Sequence, residues 1–343
     1  MHLCIDTRMA YSSGIGTYIR NLIPRLDPVF KLTLLVDPQR PFPHSNAVPF
    51  EAPIYSMREQ ILFPFKIPCC DIFWSPNYNV PLLPIRAKKR IVTIHDAYHL
   101  AYPQSRLQHL YARFVMSRAF HHSDAVFTDS QFSASELRRF FSSSREIHVI
   151  GLSPNWTLFQ PTKSTPVSSP YFLFVGNHKP NKNLAGLLEA FELFVEKTKF
   201  PHRLCLVGKK QGLRSVTELK PSSRVSILGE VLEEALPQLY ANAAALVFPS
   251  FYEGFGLPPL EAMAVGCPTI VSCTASLPEV VGNASLFVKP DNPSDIANAM
   301  IRIASDPELV SSSKTKGFAQ AKLFSWEKTA EGYIKILNDL NSL

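Results

Sequence analysis

The sequence predicts an α/β protein of two domains, each a parallel sheet covered by helices. Three observations predict it. The chain has 343 residues, which is long for a single core. Short apolar runs alternate with amphipathic stretches in both halves. A stretch rich in Ser, Thr and Pro, residues 153–170, separates the two alternations. These features place an N-terminal domain at residues 1–160, a C-terminal domain at 161–324 and a terminal helix from 325 to 343.

In the first half, residues 2–6 read as the opening strand and 16–26 as the first helix. Strands follow at 32–36, 72–74, 90–94, 125–128 and 147–150, with a capped helix over 133–140. In the second half, strands are expected at 171–175, 203–207, 225–228, 245–248, 269–272 and 286–288. Helices are expected at 183–197, 232–242 and 259–265, the last stopped by Gly266 with Pro268 beyond. Two Rossmann-like domains of this kind, facing each other, gather their strand C-termini around one cleft, where open α/β sheets bind ligands.

A hydrophobic fraction of 46% with 18% charged residues describes an ordinary globular protein. Residues 1–6 carry Asp6 where a secretory leader needs an apolar core, so no leader is expected. No apolar run approaches the eighteen or so residues of a membrane span. The six cysteines, at 4, 69, 70, 205, 267 and 273, include no C-x2-C pair, which favours reduced thiols in the cytoplasm over a disulfide framework or a zinc site. The charge is divided unevenly: 18 Lys+Arg against 11 Asp+Glu up to Lys163, and 17 against 17 beyond. Arg86-Ala-Lys-Lys-Arg90 is the densest basic run. It reads either as a solvated face or as a contact for an anionic partner, such as a phospholipid surface or a polyprenyl-phosphate acceptor. No nucleic-acid motif accompanies it, so nucleic acid is not an expected partner.

The most informative segment runs Phe248-Pro-Ser-Phe-Tyr-Glu-Gly-Phe-Gly-Leu-Pro-Pro-Leu-Glu-Ala-Met-Ala-Val-Gly-Cys-Pro268. A buried strand leads into a glycine-containing loop and then a helix whose first turn tolerates Pro258 and Pro259. Such a start offers free N–H groups and a positive dipole end to a diphosphate. Glu253 sits in the loop and Glu261 in the expected first turn, eight positions on. Carboxylates there are suited to accept hydrogen bonds from sugar and ribose hydroxyls. Phe174-Val-Gly-Asn-His-Lys-Pro-Asn-Lys-Asn183 opens the second domain, with Gly176 after a strand and Lys182 near the next helix, where a lysine neutralises a diphosphate oxygen. Ser13-Gly-Ile-Gly-Thr-Tyr18 contains G-x-G, but Ile19 stands where a dinucleotide fingerprint wants a small residue, and the second strand lacks a well-placed acid, since Asp37 is followed by Pro38. His95 and Asp96 end a strand at Ile91-Val-Thr-Ile-His-Asp96, which aims His95 at a sugar hydroxyl in the cleft. Asp6 and Arg8 follow the first strand, and either pair with each other or touch an acceptor. His99, His121 and His122 read as surface residues.

The glutamate segment resembles the E-x7-E motif of retaining glycosyltransferases of the GT-B fold, family 4. The resemblance continues through Pro268-Thr-Ile-Val-Ser-Cys-Thr-Ala-Ser-Leu-Pro-Glu-Val-Val-Gly282, the segment from 172 to 183, Ser12–Tyr18 and Val92–Asp96, and so spans nearly the whole chain in order. It implies a hexosyltransferase that uses a nucleotide diphosphate sugar and needs no metal or other cofactor. Glu253, with the amides of Gly254, Phe255, Gly256 and Leu257, would hold the sugar, and Glu261 the ribose. Lys182 would hold the diphosphate. Gly14 and Gly16 would let backbone approach the donor from the first domain, and groups around Glu230 and Val231 would meet the base. The family usually also supplies an arginine in the Lys182 loop. Here Asn177 and Asn181 stand in its place, leaving Lys182, with Lys179 or Lys209, to carry the positive charge. The wording around Tyr252–Met263 is similar to mannosyltransferases that use GDP-mannose. The expected acceptor is a glycan or a lipid-linked glycan. Two alternatives remain: a nucleotide-sugar epimerase on the same fold, and a non-catalytic glycan-binding scaffold.

Overall fold

The computed structural model describes residues 1–103, 105–161, 169–208 and 223–342. The chain forms two compact units, Met1–Leu152 with Trp326–Leu343, and Ser153–Ser325.

The first unit is a seven-stranded sheet in the order β3-β2-β1-β4-β5-β6-β7, from β1 (His2–Asp6), β2 (Lys31–Val36), β3 (Ala47–Pro49), β4 (Cys70–Ser75), β5 (Ala87–Thr93), β6 (Ala125–Thr128) and β7 (His148–Val149). Every pairing is parallel. Parallel strands need crossovers. These contain α1 (Ser13–Leu26), α2 (Met57–Lys66), α3 (Tyr98–Ala101), α4 (Arg106–His122) and α5 (Gln131–Phe141). The second unit is a six-stranded parallel sheet, β10-β9-β8-β11-β12-β13, from β8 (Tyr171–Val175), β9 (Arg203–Val207), β10 (Val225–Gly229), β11 (Ala245–Phe248), β12 (Thr269–Ser272) and β13 (Leu286–Val288). Its described helices are α6 (Leu184–Lys197), α7 (Leu236–Asn242), α8 (Leu257–Ala264), α9 (Leu277–Val281), α10 (Pro293–Ser305) and α11 (Pro307–Ala321). Each strand order reverses direction once, between β1 and β4 in the first sheet and between β8 and β11 in the second. Loops leaving the strand ends at such a reversal diverge and leave a crevice.

The terminal helix α12 (Trp326–Ser342) packs on α1 within the first unit. It buries Trp326 and Tyr333, and the Tyr333 and Tyr18 hydroxyls are 2.6 Å apart. Arg25 donates to Glu327 at 2.7 Å. Among the described residues no helix is long and apolar enough to cross a membrane. All six cysteines are free thiols.

Local chemistry moves several expected boundaries. α1 starts at Ser13 and not at Gly16, so Gly14 as well as Gly16 lies in its first turns. α5 starts at Gln131 because the Ser130 hydroxyl accepts from the Ser133 N–H, which makes Ser133 the third helical residue and not the cap. The helix expected over 232–242 divides into a 3₁₀ turn, Glu233–Ala235, and α7, with Pro237 near the junction. Four longer helices, α2, α4, α10 and α11, were not expected.

Three cations of the basic run from Arg86 to Arg90 have partners within the first unit. Arg86 precedes β5 and is exposed, and residues 87–90 form the first half of that strand, inside the sheet. Lys88 pairs with Asp71 at 2.7 Å, and Lys89 donates to the Leu340 carbonyl at 2.5 Å. Arg90 donates to the carbonyls of Pro81 and Leu83, both at 3.2 Å. Strand pairing fixes the backbone, and nearby acceptors take up these cations. His121 and His122 are exposed, as expected, whereas His99 is half-buried between the rings of Tyr78 and Tyr98.

Candidate active site

In the second unit, the strands flanking the reversal, β8 and β11, send out the two loops that carry the strongest sequence signals. After β8, the chain passes Gly176 and makes a 3₁₀ turn, Pro180–Lys182. Asn183 then turns into the left-handed region and caps α6, its side chain accepting from the Gly186 N–H. After β11, the chain passes Glu253 and reaches Gly256, which initiates α8 at φ +111. A Cβ at Gly256 would stand 2.6 Å from a Leu277 methyl, so both the dihedral and the space require glycine.

These loops bring Lys182 and Glu253 together. The Lys182 ammonium donates to Glu253 Oε1 at 2.7 Å and to Oε2 at 2.8 Å. Both side chains are largely buried, at 15% and 11% exposure. Burial makes each charge depend on the other. The Lys182 nitrogen also sits 5.1 Å from the centre of the Phe248 ring. The ammonium keeps a third proton, and the carboxylate keeps further lone pairs, for other partners.

Backbone and side-chain bonds tie the two loops into one platform. Phe251 N–H donates to the Asn181 carbonyl at 2.7 Å, and the Asn181 amide donates to the Tyr252 carbonyl at 2.8 Å. Asn181 is therefore a buried loop tie, a role that sequence reasoning did not foresee for it. Ser276 Oγ lies 2.9 Å from the Glu253 carbonyl and 2.8 Å from that of Phe255, and holds the glutamate loop from below. Several buried polar atoms of this platform have no partner among the described residues: Asn177 Oδ1, both ring nitrogens of His178, Asn181 Oδ1 and Ser250 Oγ. Burial pushes the His178 pKa down, which favours a neutral ring. Such a concentration of unsatisfied groups asks for an explanation, and a polar ligand supplies one.

The neighbouring strand ends are glycines. Gly208, after β9, has φ +150, and a Cβ there would lie 1.8 Å from the Gly176 carbonyl oxygen. The backbone alone fits at that edge. Glu230 is exposed and Val231 half-buried after β10. Lys209 lies outside the described residues.

Glu261 stands differently from the expectation. Because α8 begins at Leu257, Glu261 is in the second turn. The Tyr240 hydroxyl donates to its Oε2 at 3.0 Å. Burial outweighs that bond and pushes the carboxyl up to about 7. Gly254, Phe255 and Gly256 are buried, and Leu257 is half-buried. Pro258 and Pro259 have no N–H. Of the four amides that a helix start leaves without an intrahelical acceptor, α8 therefore has only those of Gly256 and Leu257.

In the first unit, His95 follows β5. Its Nδ1 is 2.7 Å from Asp129 Oδ2 and its Nε2 is 3.0 Å from the Pro76 carbonyl. Burial pulls its pKa down, but the Asp129 charge, their hydrogen bond and the Pro76 carbonyl outweigh burial and raise it. Both nitrogens are engaged within the unit, so the expected hydroxyl contact is not available in this arrangement. Gly16 has no room for a side chain, since a Cβ would lie 2.7 Å from the Ala10 carbonyl oxygen, whereas Gly14 faces open space. Asp6 and Arg8 pair with each other at 2.6 Å, and Arg8 also reaches buried Glu59 at 2.9 Å. This closes the alternative of an acceptor contact through Arg8. Among the described residues no three His, Cys, Asp or Glu side chains stand together as a metal site would need.

Comparison with known proteins gives concordant findings. A family model described as Glycosyl transferases group 1 matches residues 158–320. The chain is 34% identical over 282 residues to O-antigen chain mannosyltransferase B of Escherichia coli, covering 75% of this chain and 71% of that one. It is 31% identical over 242 residues to O-antigen chain mannosyltransferase RfbU of Salmonella typhimurium, covering 69% and 66%. Among solved structures, sucrose-phosphate synthase from Thermosynechococcus elongatus superposes with a TM-score of 0.84 at 21% identity, over 100% of this chain and 99% of that one. Anabaena HepE in complex with UDP-glucose superposes with a TM-score of 0.77 at 16% identity, over the whole of both chains.

Proposed function

This chain belongs to the group 1 glycosyltransferases and has their GT-B fold, and on that premise we propose that it is a retaining, metal-independent hexosyltransferase using GDP-mannose. It transfers the sugar to a hydroxyl of a glycan or lipid-linked glycan. The observation that carries this reading is the Lys182–Glu253 pair at the strand-order reversal of the second sheet. The preference for mannose rests on the two O-antigen mannosyltransferase relatives. A cytoplasmic place of action fits the six free thiols.

The roles follow from the chemistry of the groups. The donor diphosphate competes with Glu253 for the Lys182 ammonium, and the Gly256 and Leu257 amides at the positive end of α8 complement it. Glu253, released from its pair, accepts hydrogen bonds from the sugar hydroxyls. Neutral His178 offers a ring N–H to the donor. Glu261 and its Tyr240 partner hold the ribose. The bond from the anomeric carbon to the diphosphate oxygen breaks as the acceptor oxygen bonds to that carbon on the same face. The acceptor proton passes to the leaving phosphate oxygen. Lys182 stabilises the charge that accumulates on the leaving group, where preorganised cations are most effective. His95, held between Asp129 and Pro76, acts as a positioning residue for the loops that follow β4 and β5.

Thermal unfolding in the presence of GDP-mannose, UDP-glucose, UDP-galactose and ADP-glucose tests the donor. A ligand that binds only the native state at 100 times its Kd adds about 2.7 kcal/mol. GDP-mannose is expected to give the largest rise, followed by acceptor-dependent release of GDP. Donor turnover to a free sugar or an epimer without acceptor would favour the epimerase. Glycan binding with no donor turnover would favour the scaffold.

A further inference from the structure

Two helices of the first unit expose apolar side chains at helical spacing. On α2 these are Met57, Ile61 and Phe65, and on α4 they are Leu107, Leu110 and Phe114. All six are 57–81% exposed. Spacings of three and four put each set on one helical face. α4 also has a buried face, formed by Ala112, Val115, Met116 and Ala119, so its outward stripe is an addition to its packing. The Tyr55 ring, just before α2, meets the Tyr111 ring of α4 at 6.4 Å between centroids. Scattered exposed hydrophobics are ordinary, but two rows at helical spacing on helices of one unit are not.

The charge around these rows has one sign. α4 carries Arg106, Arg113 and Arg118, all exposed, and no Asp or Glu. α2 carries Arg58 and Lys66, and its one acid, Glu59, is buried against Arg8. We propose that the α2–α4 face docks on the surface of an anionic phospholipid bilayer, with the six apolar side chains entering the headgroup boundary and the arginines meeting lipid phosphates. Apolar burial combined with basic flanks is the physical signature of a helix lying in that interface. An acidic protein surface would match the charge but not the rows of fully projecting aliphatic and aromatic groups. The inference does not rest on the sugar donor, nor on the Arg86–Arg90 run, in which Lys88, Lys89 and Arg90 have partners within the first unit.

Vesicle co-sedimentation of the full chain tests it. Phosphatidylcholine vesicles containing phosphatidylglycerol should bind the protein, and pure phosphatidylcholine vesicles should bind it far less. Replacing Ile61, Phe65, Leu107 and Phe114 together by Ser should lower the partition coefficient at least about tenfold. Circular dichroism and the melting temperature should be unchanged, because these groups are exposed. Lys88→Gln should leave binding as it is. Equal binding of the four-site variant, no binding by the unaltered protein, or self-association abolished by the same variant without vesicle binding would each overturn the proposal. The last outcome would make the face an interface between copies.

Discussion

Lys182 and Glu253, 71 residues apart in sequence, share two hydrogen bonds of 2.7 and 2.8 Å at the mouth of the second sheet. Each offsets the other's charge, and in the proposed mechanism a donor separates them. A competing partner on one side of an ion pair frees the other side, so the two residues should respond oppositely to mutation. Lys182→Ala is expected to weaken GDP binding by about tenfold to a hundredfold, the equivalent of one lost hydrogen bond to a charged group, roughly 1.5–3 kcal/mol. Glu253→Ala is expected to bind GDP at least as tightly as the unaltered protein, because Lys182 then has no partner to leave. Calorimetric titration checks both. Equal weakening by the two variants would mean that the pair acts only as a structural tie.

Glu261 provides a pH test. Its carboxyl is raised from an ordinary 4.5 to about 7 by burial. The folded state therefore holds its proton more tightly than the unfolded chain. That contribution is complete below pH 4.5 and is lost as pH rises through 7. Glu261→Gln keeps an acceptor for the Tyr240 hydroxyl and removes the titration. The variant should gain stability over the parent between pH 5 and pH 8, by up to about 3 kcal/mol for a shift of this size. Urea unfolding at the two pH values measures the gain, and a pH-independent difference would contradict it. Glu261→Ala should weaken GDP and GDP-mannose alike, since the ribose is common to both.

His178 should separate stability from function. Its ring nitrogens are buried without partners among the described residues. His178→Phe removes two desolvated polar groups, so the melting temperature should hold or rise. Binding of GDP-mannose should fall several-fold. A destabilised variant with unaltered donor affinity would give the ring a packing role instead.

His95→Ala leaves Asp129 buried without its partner, and the loss should be about 3 kcal/mol, at the low end for breaking such a pair. His95 gains stability from a raised folded pKa. That gain is complete below pH 6.5 and is lost as pH rises through the folded value. The difference between parent and variant should therefore be larger at pH 6 than at pH 9. Denaturant unfolding at both values decides this.

Sugar transfer should survive EDTA, because in the proposed mechanism Lys182 and the start of α8 supply the positive charge at the donor. Activity abolished by chelation and restored by manganese or magnesium would assign that charge to an ion.

The parallel strands were legible because their apolar runs are short and bounded, as at Tyr171–Val175 and Ala245–Phe248. The glutamate loop was legible because Gly256 and the two prolines mark a strand-to-helix turn. α4 was not, because Leu107, Leu110 and Phe114 point outward while Ala112, Val115 and Met116 point inward, and the overlapping rows hide a single stripe. The Lys182–Glu253 bond joins residues that no local pattern links. The partners of Lys88, Lys89 and Arg90 were not legible, because a cluster of cations in sequence says nothing about the carbonyls and carboxylates that folding places beside them. His178 looked ordinary because lack of a partner under burial is a property of coordinates.

The most direct test is the rate of mannosyl transfer by Glu253→Ala at saturating GDP-mannose with a lipid-linked glycan acceptor. If Glu253 orients the transferred sugar, kcat falls at least about tenfold while GDP affinity is retained. Transfer at the parent rate would contradict the assignment of Glu253 to the sugar and, with it, the account of this site.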